Sequence, residues 1–294
     1  MTWGGLDPPT PPDRVARDRV AAIVTLTTDF GGRDPYVAAM KGVILGIARA
    51  ARRAVELVDL THEVAPHYVV EAALALDAVV PFFPPGTVHV AVVDPAVGTA
   101  RRGLAVAARG QVFVGPDNGL FTPFLAGTSW QAWELTAPEY RLAAVSRTFH
   151  GRDVFAPAAA HVATGVGPAR LGAPVTDPVR LAWPHPGEIG GVVAGAVLHV
   201  DRFGNLVTSI PAGAIAGPLR AGATVRVAGR PVPIVGTYGE LARGRAGALV
   251  GSSGRLEIAV REGSAARVLG ARRGTAVVVS RKRPGSTRRA RGRS

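Results

Sequence analysis

The residues from 23 to about 182 alternate short apolar runs with segments of helical periodicity, and this alternation constrains the fold more than any other feature. The runs Ile23–Leu26, Val55–Val58 and Val88–Val93 are rich in valine, isoleucine and leucine, which is typical of strands buried on both faces. Such strands form parallel sheets when helices separate them, because each helix returns the chain to the end of the sheet at which the previous strand began. We therefore predict an α/β N-terminal domain with a mostly parallel central sheet.

The pattern changes after the segment Trp183–Glu188, which is the predicted linker. From Val192 onward, short strands follow one another between Gly- and Pro-rich turns, which favours a smaller all-β, barrel-like C-terminal domain. The predicted parts are a flexible leader at 1–20, the α/β domain at 21–183, the barrel-like domain at 189–280 and a basic disordered tail at 281–294.

The net charge of +13 invites a role in nucleic-acid binding, but the charge is unevenly placed. Residues 281–294 hold seven Lys and Arg and no acid; without these seven, 27 basic and 21 acidic side chains leave a net charge of +6. Aromatic residues make up only 6% of the chain and do not alternate with basic ones, as a surface that stacks on bases requires. We expect at most a non-specific contact between this tail and phosphate groups.

Two absences narrow the class of protein further. The chain has no Cys, which excludes disulfides, thiolate nucleophiles and Cys-ligated metals. No apolar run approaches the roughly 18–20 residues that span a bilayer, and the first 20 residues lack the basic start and apolar stretch of a signal peptide. We therefore predict a soluble, cytoplasmic protein without membrane contact.

Charged side chains stand where predicted strands end. Asp29 follows the first strand, Asp94 ends the third, Arg101 comes seven residues later, and His150 stands further along the chain. Ligands of open α/β sheets bind outside the carboxyl ends of the strands, and a buried charge without a partner is costly in a core. We therefore assign these four side chains to one site.

Each of these residues also has a structural interpretation. Asp29 can accept hydrogen bonds from the vicinal hydroxyls of a ribose, but it can equally cap a helix or a turn. Asp94 and Arg101 can form a structural ion pair, which is the favoured interpretation for the pair alone. A lone His is more often structural than catalytic, although a His that meets an Asp and an Arg is a candidate general base or water-holding group.

A metal site is the main competitor in this half of the chain. Asp59, His62 and Glu63 offer ligand atoms, but nothing pairs them with a further ligand. No H-x-x-x-H or H-E-x-x-H spacing occurs. We therefore predict that the protein binds no metal.

In the second half, Asp201, Phe203 and Asn205 lie within five residues, just after a predicted strand. An exposed Phe ring beside an Asn amide suits an adenine, which presents a face for stacking and an edge for hydrogen bonds. Ser252 and Ser253 lie in a Gly/Ser turn whose hydroxyl and amide groups can bind a carboxylate. Each segment is, on its own, more often a hairpin loop than a binding site.

Taken together, these segments resemble the S-adenosyl-L-methionine hydroxide adenosyltransferase family, the hydrolase relatives of the fluorinase and the chlorinase. The resemblance covers about residues 23 to 270, follows the family's order and rests on ten short motifs. They are Thr28-Asp29-Phe30-Gly31, Asp34-x-Tyr36, Met40-Lys41-Gly42-Val43-Ile44, Asp59-x-Thr61-His62-Glu63, Val92-Val93-Asp94-Pro95, Val97-Gly98-Thr99, Arg101-Arg102, Pro116-Asp117-Asn118-Gly119, Thr148-Phe149-His150-Gly151-Arg152-Asp153 and Asp201-x-Phe203-Gly204-Asn205.

The resemblance implies a fold that agrees with the one predicted above, an α/β domain followed by a β-barrel domain. It also implies a homotrimer, in which the substrate lies between one subunit's N-terminal domain and its neighbour's C-terminal domain. The implied reaction is hydrolysis of S-adenosyl-L-methionine to adenosine and L-methionine, by in-line attack of an activated water or hydroxide on the ribose 5′ carbon. The reaction needs no cofactor.

The resemblance also implies roles for individual residues. The residues that position and activate the water match Asp94, Arg101 and His150, and the ribose-binding carboxylate matches Asp29. The residues that contact adenine and methionine match Asp201, Phe203 and Asn205, with Ser252 or Ser253 at the methionine end. The sequence departs from the family at Ala96, which is usually Gly, and at Ser209, which is usually Asn.

Three other functions stay open at the level of sequence. A halogenase similar to the chlorinase uses a halide in place of water; halide-using relatives lack the Arg and His, so Arg101 and His150 favour water, although Gly151 is expected to leave some room near the site. A nucleic-acid-binding protein would use the basic tail. A binder of adenosine or S-adenosylmethionine without catalysis is the third, and the presence of Asp94, Arg101 and His150 weighs against it.

Overall fold

The computed structural model describes residues 21–127, 129–182, 185–213 and 223–281. The predicted flexible leader, and the predicted tail beyond Arg281, lie outside these described residues. The chain divides into two compact units, with the boundary between Leu181 and Ala182. None of the helices in the described ranges is both long and apolar enough to cross a bilayer.

In the N-terminal unit, six described strands form one sheet in the order β2-β1-β3-β5-β4-β6. The strands β1, β2, β3 and β5 pair in parallel, whereas β4 runs antiparallel to both of its neighbours. A π-helical turn at Gly151–Phe155 leads directly into α3. The elements are β1 (Ala22–Thr28), α1 (Tyr36–Ala50), β2 (Val55–Thr61), α2 (Val69–Val79), β3 (Val88–Val92), β4 (Gly103–Ala108), β5 (Gln111–Pro116), β6 (Trp130–Glu134) and α3 (Ala156–Ala163).

Helices cover both faces of this sheet, and alternate residues of β3 show it. Val90 packs with Met40 of α1 and with residues of α3, while Ala91 packs on the opposite face with Leu76 of α2. A strand that is buried on both faces has no polar side, which explains its continuous apolar sequence. The predicted α/β fold with a mostly parallel sheet is confirmed.

In the C-terminal unit, the described strands pair antiparallel in the order β11-β10-β14-β8-β9-β13-β12, with β7 beside β8. The two edges approach each other, because Ile234, which follows β11, forms a bridge with Ala248 of β12. This near closure makes the unit barrel-like, as predicted. The elements are β7 (Gly187–Ile189), β8 (Val192–Val200), β9 (Leu206–Pro211), β10 (Ala223–Val227), β11 (Arg230–Val232), β12 (Ala246–Val250), β13 (Arg255–Val260), α4 (Ala265–Leu269) and β14 (Ala276–Arg281).

Sequence patterns miss or misplace some strands. The edge strand β6 was not predicted, because its sequence Trp-Gln-Ala-Trp-Glu mixes polar and aromatic residues on a strand with only one hydrogen-bonded strand neighbour. Among the short strands predicted after Val192 is one at Val232–Val235, but β11 ends at Val232. Pro233 follows and has no N–H with which to continue the ladder.

A chain of buried polar groups crosses the sheet beneath α2. Nδ1 of His89 lies 2.7 Å from the Thr25 hydroxyl, and Nε2 lies 2.7 Å from Oε1 of Gln111. The Gln111 amide in turn donates to the carbonyl of Phe83 at 2.8 Å. Because His89 is fully buried, desolvation of the charged form lowers its pKa below the ordinary value of 6.5.

We predict that His89 makes the protein less stable as the pH falls below about 6.5. In that range the unfolded chain binds a proton that the folded chain does not, so the free energy of unfolding falls by up to about 1.4 kcal/mol per pH unit. Urea unfolding between pH 7.5 and 5.0 measures this slope. His89→Gln should flatten it, and an equal slope in both proteins would contradict the assignment to His89.

Candidate active site

The predicted site residues of the N-terminal unit meet at the carboxyl ends of β1 and β3. Asp29 directly follows β1, and Asp94 is the second residue after β3. Together with His150 they line a pocket of about 290 Å³. The position agrees with the rule that ligands of open α/β sheets bind outside the strand ends.

The guanidinium of Arg101 lies between Asp94 and His150. Its Nε is 3.0 Å from each carboxylate oxygen of Asp94, and its Nη2 is in close contact with Oδ2. The same Nη2 lies 2.8 Å from Nδ1 of His150. The side chains of Asp94 and Arg101 are only 5% and 9% exposed, and the ring of Phe155 packs 5.1 Å from the guanidinium. The ion pair therefore exists, and it extends to the histidine.

The contact with Arg101 fixes the tautomer of His150. A guanidinium can only donate, so Nδ1 accepts and the neutral ring carries its proton on Nε2. Burial lowers the pKa of His150, and the positive charge of Arg101 lowers it further, while the charges of Asp94 and Asp153 act in the opposite direction. His150 therefore stays neutral at pH 7 and presents an N–H donor.

A glycine joins the loop between Asp94 and Arg101 to the loop that carries His150. Gly98 has a φ of +79°, and a Cβ at this position would lie 2.5 Å from the carbonyl oxygen of Arg147. Ala96 is not among the described residues with positive φ, so alanine fits where the family usually has glycine. The two loops therefore touch through Gly98.

Aromatic side chains surround the remaining wall of the pocket. Phe30, Tyr36 and Phe149 pack edge to face, with centroids 5.3 to 5.9 Å apart. Oδ2 of Asp29 accepts the backbone N–H of His67 at 2.8 Å. In the sequence these aromatic residues stood out only as parts of motifs. Phe30 and Phe149 are direct neighbours of Asp29 and His150, and this position could have indicated that they line the site.

The candidate metal ligands hold the loop after β1 in place. Nε2 of His62 lies 3.0 Å from Asp59, whose other carboxylate oxygen lies 2.5 Å from Nζ of Lys41. Nδ1 of His62 lies 2.9 Å from the hydroxyl of Thr28, which accepts the N–H of Phe30. Across the described residues, no three His, Cys, Asp or Glu side chains group closely enough to hold a metal ion.

The segment Pro116–Gly119 forms a bend at the end of β5, and its residues do not line the pocket. Asp117 accepts hydrogen bonds from Arg102 and from the N–H of Val179, both at 2.8 Å. The Asn118 amide donates to the carbonyl of Val93 at 2.8 Å, directly before Asp94. This segment is a structural turn that fixes the end of β3.

In the C-terminal unit, Asp201 closes its own loop. Oδ1 of Asp201 accepts the N–H groups of Phe203 and Asn205, and Oδ2 accepts the Asn205 amide at 3.0 Å. The loop buries Asn205 and leaves Phe203 77% exposed. Ser252 and Ser253 lie in an exposed turn between β12 and β13.

The same unit contains a buried acid that sequence reasoning missed. Oη of Tyr238 lies 2.6 Å from Glu257, which is 7% exposed. Burial raises the pKa of Glu257, and burial together with this hydrogen bond raises the pKa of Tyr238 to about 12. The residues lie 19 positions apart, so no local pattern could have paired them.

Both units of the chain are similar to known proteins. The family models "SAM hydroxide adenosyltransferase N-terminal domain" and "SAM hydroxide adenosyltransferase C-terminal domain" match residues 24–172 and 195–278. A protein of Thermus thermophilus, named (R)-S-adenosyl-L-methionine hydrolase, is 45% identical over 86% of this chain and 98% of its own length. A fluorinase of an Actinoplanes species is 32% identical over 64% of this chain and 71% of its own.

A solved structure of a conserved protein from Thermotoga maritima has the same fold. The two structures superpose with a TM-score of 0.80 at 34% sequence identity. The match covers 88% of this chain and all of the Thermotoga maritima chain. The two family models cover the α/β unit and the barrel-like unit in turn, which places the chain in a class of adenosyltransferase enzymes. The chain belongs to the S-adenosyl-L-methionine hydroxide adenosyltransferase family, which confirms the resemblance seen in its sequence.

We predict that Gly98→Ala destabilises the protein more than Gly127→Ala. Both glycines have positive φ, at +79° and +70°, so both variants incur a backbone cost of about 1–2 kcal/mol. Only at Gly98 would the added Cβ also meet a backbone oxygen, at 2.5 Å, whereas the space around Gly127 is open. Urea unfolding measures both losses, and equal values would show that the loops do not meet as described.

Proposed function

We propose that the protein hydrolyses S-adenosyl-L-methionine to adenosine and L-methionine. The observation that carries this proposal is the guanidinium of Arg101 shared between Asp94 and His150, in a pocket that also contains Asp29. Family membership and the name of the Thermus thermophilus relative support it.

The leaving group of this reaction needs no catalytic help from the protein. A sulfonium leaves as the neutral thioether of methionine, taking the electron pair of the bond between sulfur and the 5′ carbon, so no general acid is needed. A new bond forms between the oxygen of the nucleophile and the 5′ carbon, and the water gives its proton to bulk solvent when it becomes the bound hydroxide. The protein must hold the nucleophile in line with the 5′ carbon and favour its deprotonated form.

Arg101 and His150 can hold the nucleophile by donating hydrogen bonds to it. The charge of Arg101 favours hydroxide over water, and the Nε2–H of His150 can donate to the nucleophile. Because Nδ1 accepts from Arg101, the ring has no free lone pair with which to remove a proton. Of the two roles that the sequence left open for His150, the geometry favours holding the nucleophile over acting as a general base. Asp94 orients Arg101 and balances its charge.

We assign Asp29 to the ribose hydroxyls, since one of its oxygens bonds His67 and the other is left for a ligand in the pocket. Asp201, Phe203, Asn205, Ser252 and Ser253 are proposed contacts for adenine and methionine, on the basis of the resemblance. The homotrimer with substrate between subunits is proposed on the same basis. The cytoplasmic location and the absence of any metal or cofactor are proposed from the sequence features described above.

A halogenase is the second candidate within the family. Arg101 and His150 favour water over a halide, and the hydrolase relative is more similar to this chain than the fluorinase. The room expected beside Gly151 is small, because a Cβ there would lie 3.3 Å from both Met40 and Phe149.

We predict that adenosine is the nucleoside product in buffered water, with or without chloride and with or without a chelator. The purified protein is incubated with S-adenosylmethionine, and the product is identified by mass. A 5′-halo-adenosine in chloride would instead make the protein a halogenase. Turnover that a chelator abolishes and a metal restores would contradict the proposed metal independence.

We predict that His150→Ala lowers kcat by about 10²–10³-fold, the usual cost of losing one donor to a developing or bound anion. His150→Gln should keep most of the activity, because its amide N–H reaches a position similar to Nε2. Steady-state kinetics of both variants measure the difference. If His150→Gln is as inactive as His150→Ala, the donor role is wrong and a general base is required.

A further inference from the structure

Asp153, in the N-terminal unit, is a buried carboxylate that has no part in the reaction proposed above. Asp153 has no exposed surface, although it lies only three residues after His150. An Asp at the start of a helix is expected to cap it, but no side chain caps α3, and Asp153 lies inside the π-helical turn. A buried carboxylate is costly without compensating partners, so its partners show what it holds in place.

The partners of Asp153 close the loop that carries His150. Oδ2 accepts the N–H of Ser146 at 2.8 Å, while Arg152 donates from Nε to Oδ1 at 2.6 Å and from Nη2 to Oδ2 at 3.0 Å. The Ser146 hydroxyl accepts the N–H of Phe149 at 2.9 Å, one residue before His150. Burial acts to raise the pKa of Asp153, but the hydrogen bonds from Arg152 and Ser146 outweigh it and keep the pKa low.

Other contacts leave this loop little freedom. The guanidinium of Arg152 lies 5.1 Å from the centroid of the Phe149 ring, and the N–H of Leu142 donates to the backbone carbonyl of Asp153 at 2.9 Å. On the opposite side the loop meets Gly98. The conformation of residues 146–150 therefore depends on groups that lie outside the pocket.

We propose that Asp153 is a positioning residue, whose buried carboxylate holds residues 146–150 in the conformation that places Nδ1 of His150 on Arg101. The proposal rests on the proposed hydrolysis, because it assigns Asp153 a role in that reaction. Asp153 does not line the pocket, so it acts through the loop.

Asp153→Asn tests this role, because it keeps the shape and one oxygen for Ser146 but removes the charge. We expect kcat to fall by about 10–100-fold, since a displacement near 1 Å has this effect on a reacting geometry, with little change in KM. Among the charges that act on His150, those of Asp94 and Asp153 raise its pKa and those of Arg101 and Arg141 lower it. If His150 leaves Arg101, the ring loses the largest charge effect that lowers its pKa, and this effect exceeds that of Asp153. The variant should therefore raise the pKa of His150 and move the acid limb of kcat to higher pH, whereas loss of the Asp153 charge without a displacement of the ring would lower this pKa.

Two measurements separate positioning from a general loss of stability. NMR titration of the full chain with ¹⁵N-labelled histidine follows the His150 ring without requiring turnover. Asp117→Asn is the matched control, because Asp117 is also a buried carboxylate bound by an arginine and a backbone N–H. It should reduce stability and leave the titration of His150 unchanged.

A folded Asp153→Asn protein with wild-type kcat and wild-type titration of His150 would overturn the proposal, as would equal changes in Asp117→Asn. If Asp153→Asn does not fold, Ser146→Ala is the second variant, since it removes only the hydroxyl that accepts from Phe149. We expect a lower kcat and a shifted titration, and wild-type values of both would also overturn the proposal. If the wild-type protein forms no adenosine while the titration of His150 still responds to Asp153→Asn, the proposed reaction fails and the positioning stands.

Discussion

The cluster at the strand ends depends on one shared guanidinium. Arg101 pairs with Asp94 and donates to His150, so one side chain neutralises a buried carboxylate and selects the tautomer of the histidine. Removing one partner of a buried pair leaves an uncompensated charge, which typically costs about 3–5 kcal/mol. The cluster is therefore both a structural link between two loops and the proposed holder of the nucleophile. The sequence left open whether Asp94 and Arg101 form a structural or a catalytic pair. The structural role and the proposed catalytic role are compatible.

The sheet brings the parts of the site together. β1 and β3 are parallel neighbours, and Thr28 of β1 pairs with Val92 of β3. The chain therefore leaves both strands at the same end of the sheet, with Asp29 one residue after β1 and Asp94 two residues after β3. His150, which directly precedes the π-helical turn, reaches the same end of the sheet from a later part of the chain. A parallel arrangement makes this meeting a consequence of topology, which explains why polar residues at strand ends were informative.

The sequence was sufficient to predict what depends on local pattern and on order along the chain. Buried strands, helices between them and polar residues at strand ends are local signals, and they led to the α/β unit and to Asp94, Arg101 and His150. The contacts of Gly98 with Arg147, and of Tyr238 with Glu257, join distant segments and have no local signature. Those contacts become visible only when the chain is folded.

Asp153 shows why a correct signal can still lead to a wrong role. An aspartate before a helix usually caps it, but here the π-helical turn begins two residues earlier and takes the side chain into the core. Tertiary partners, above all Ser146 and Arg152, then decide what the carboxylate does.

The most direct test of the shared guanidinium is the tautomer of His150, read from ¹⁵N chemical shifts of the imidazole at neutral pH. The signals are assigned by their loss in a His150 variant. We expect an unprotonated Nδ1 and a protonated Nε2, because Arg101 can only donate to Nδ1. A protonated Nδ1 in the folded protein would show that Arg101 does not bind the ring, and that His150 has a free lone pair at Nε2 with which to act as a base.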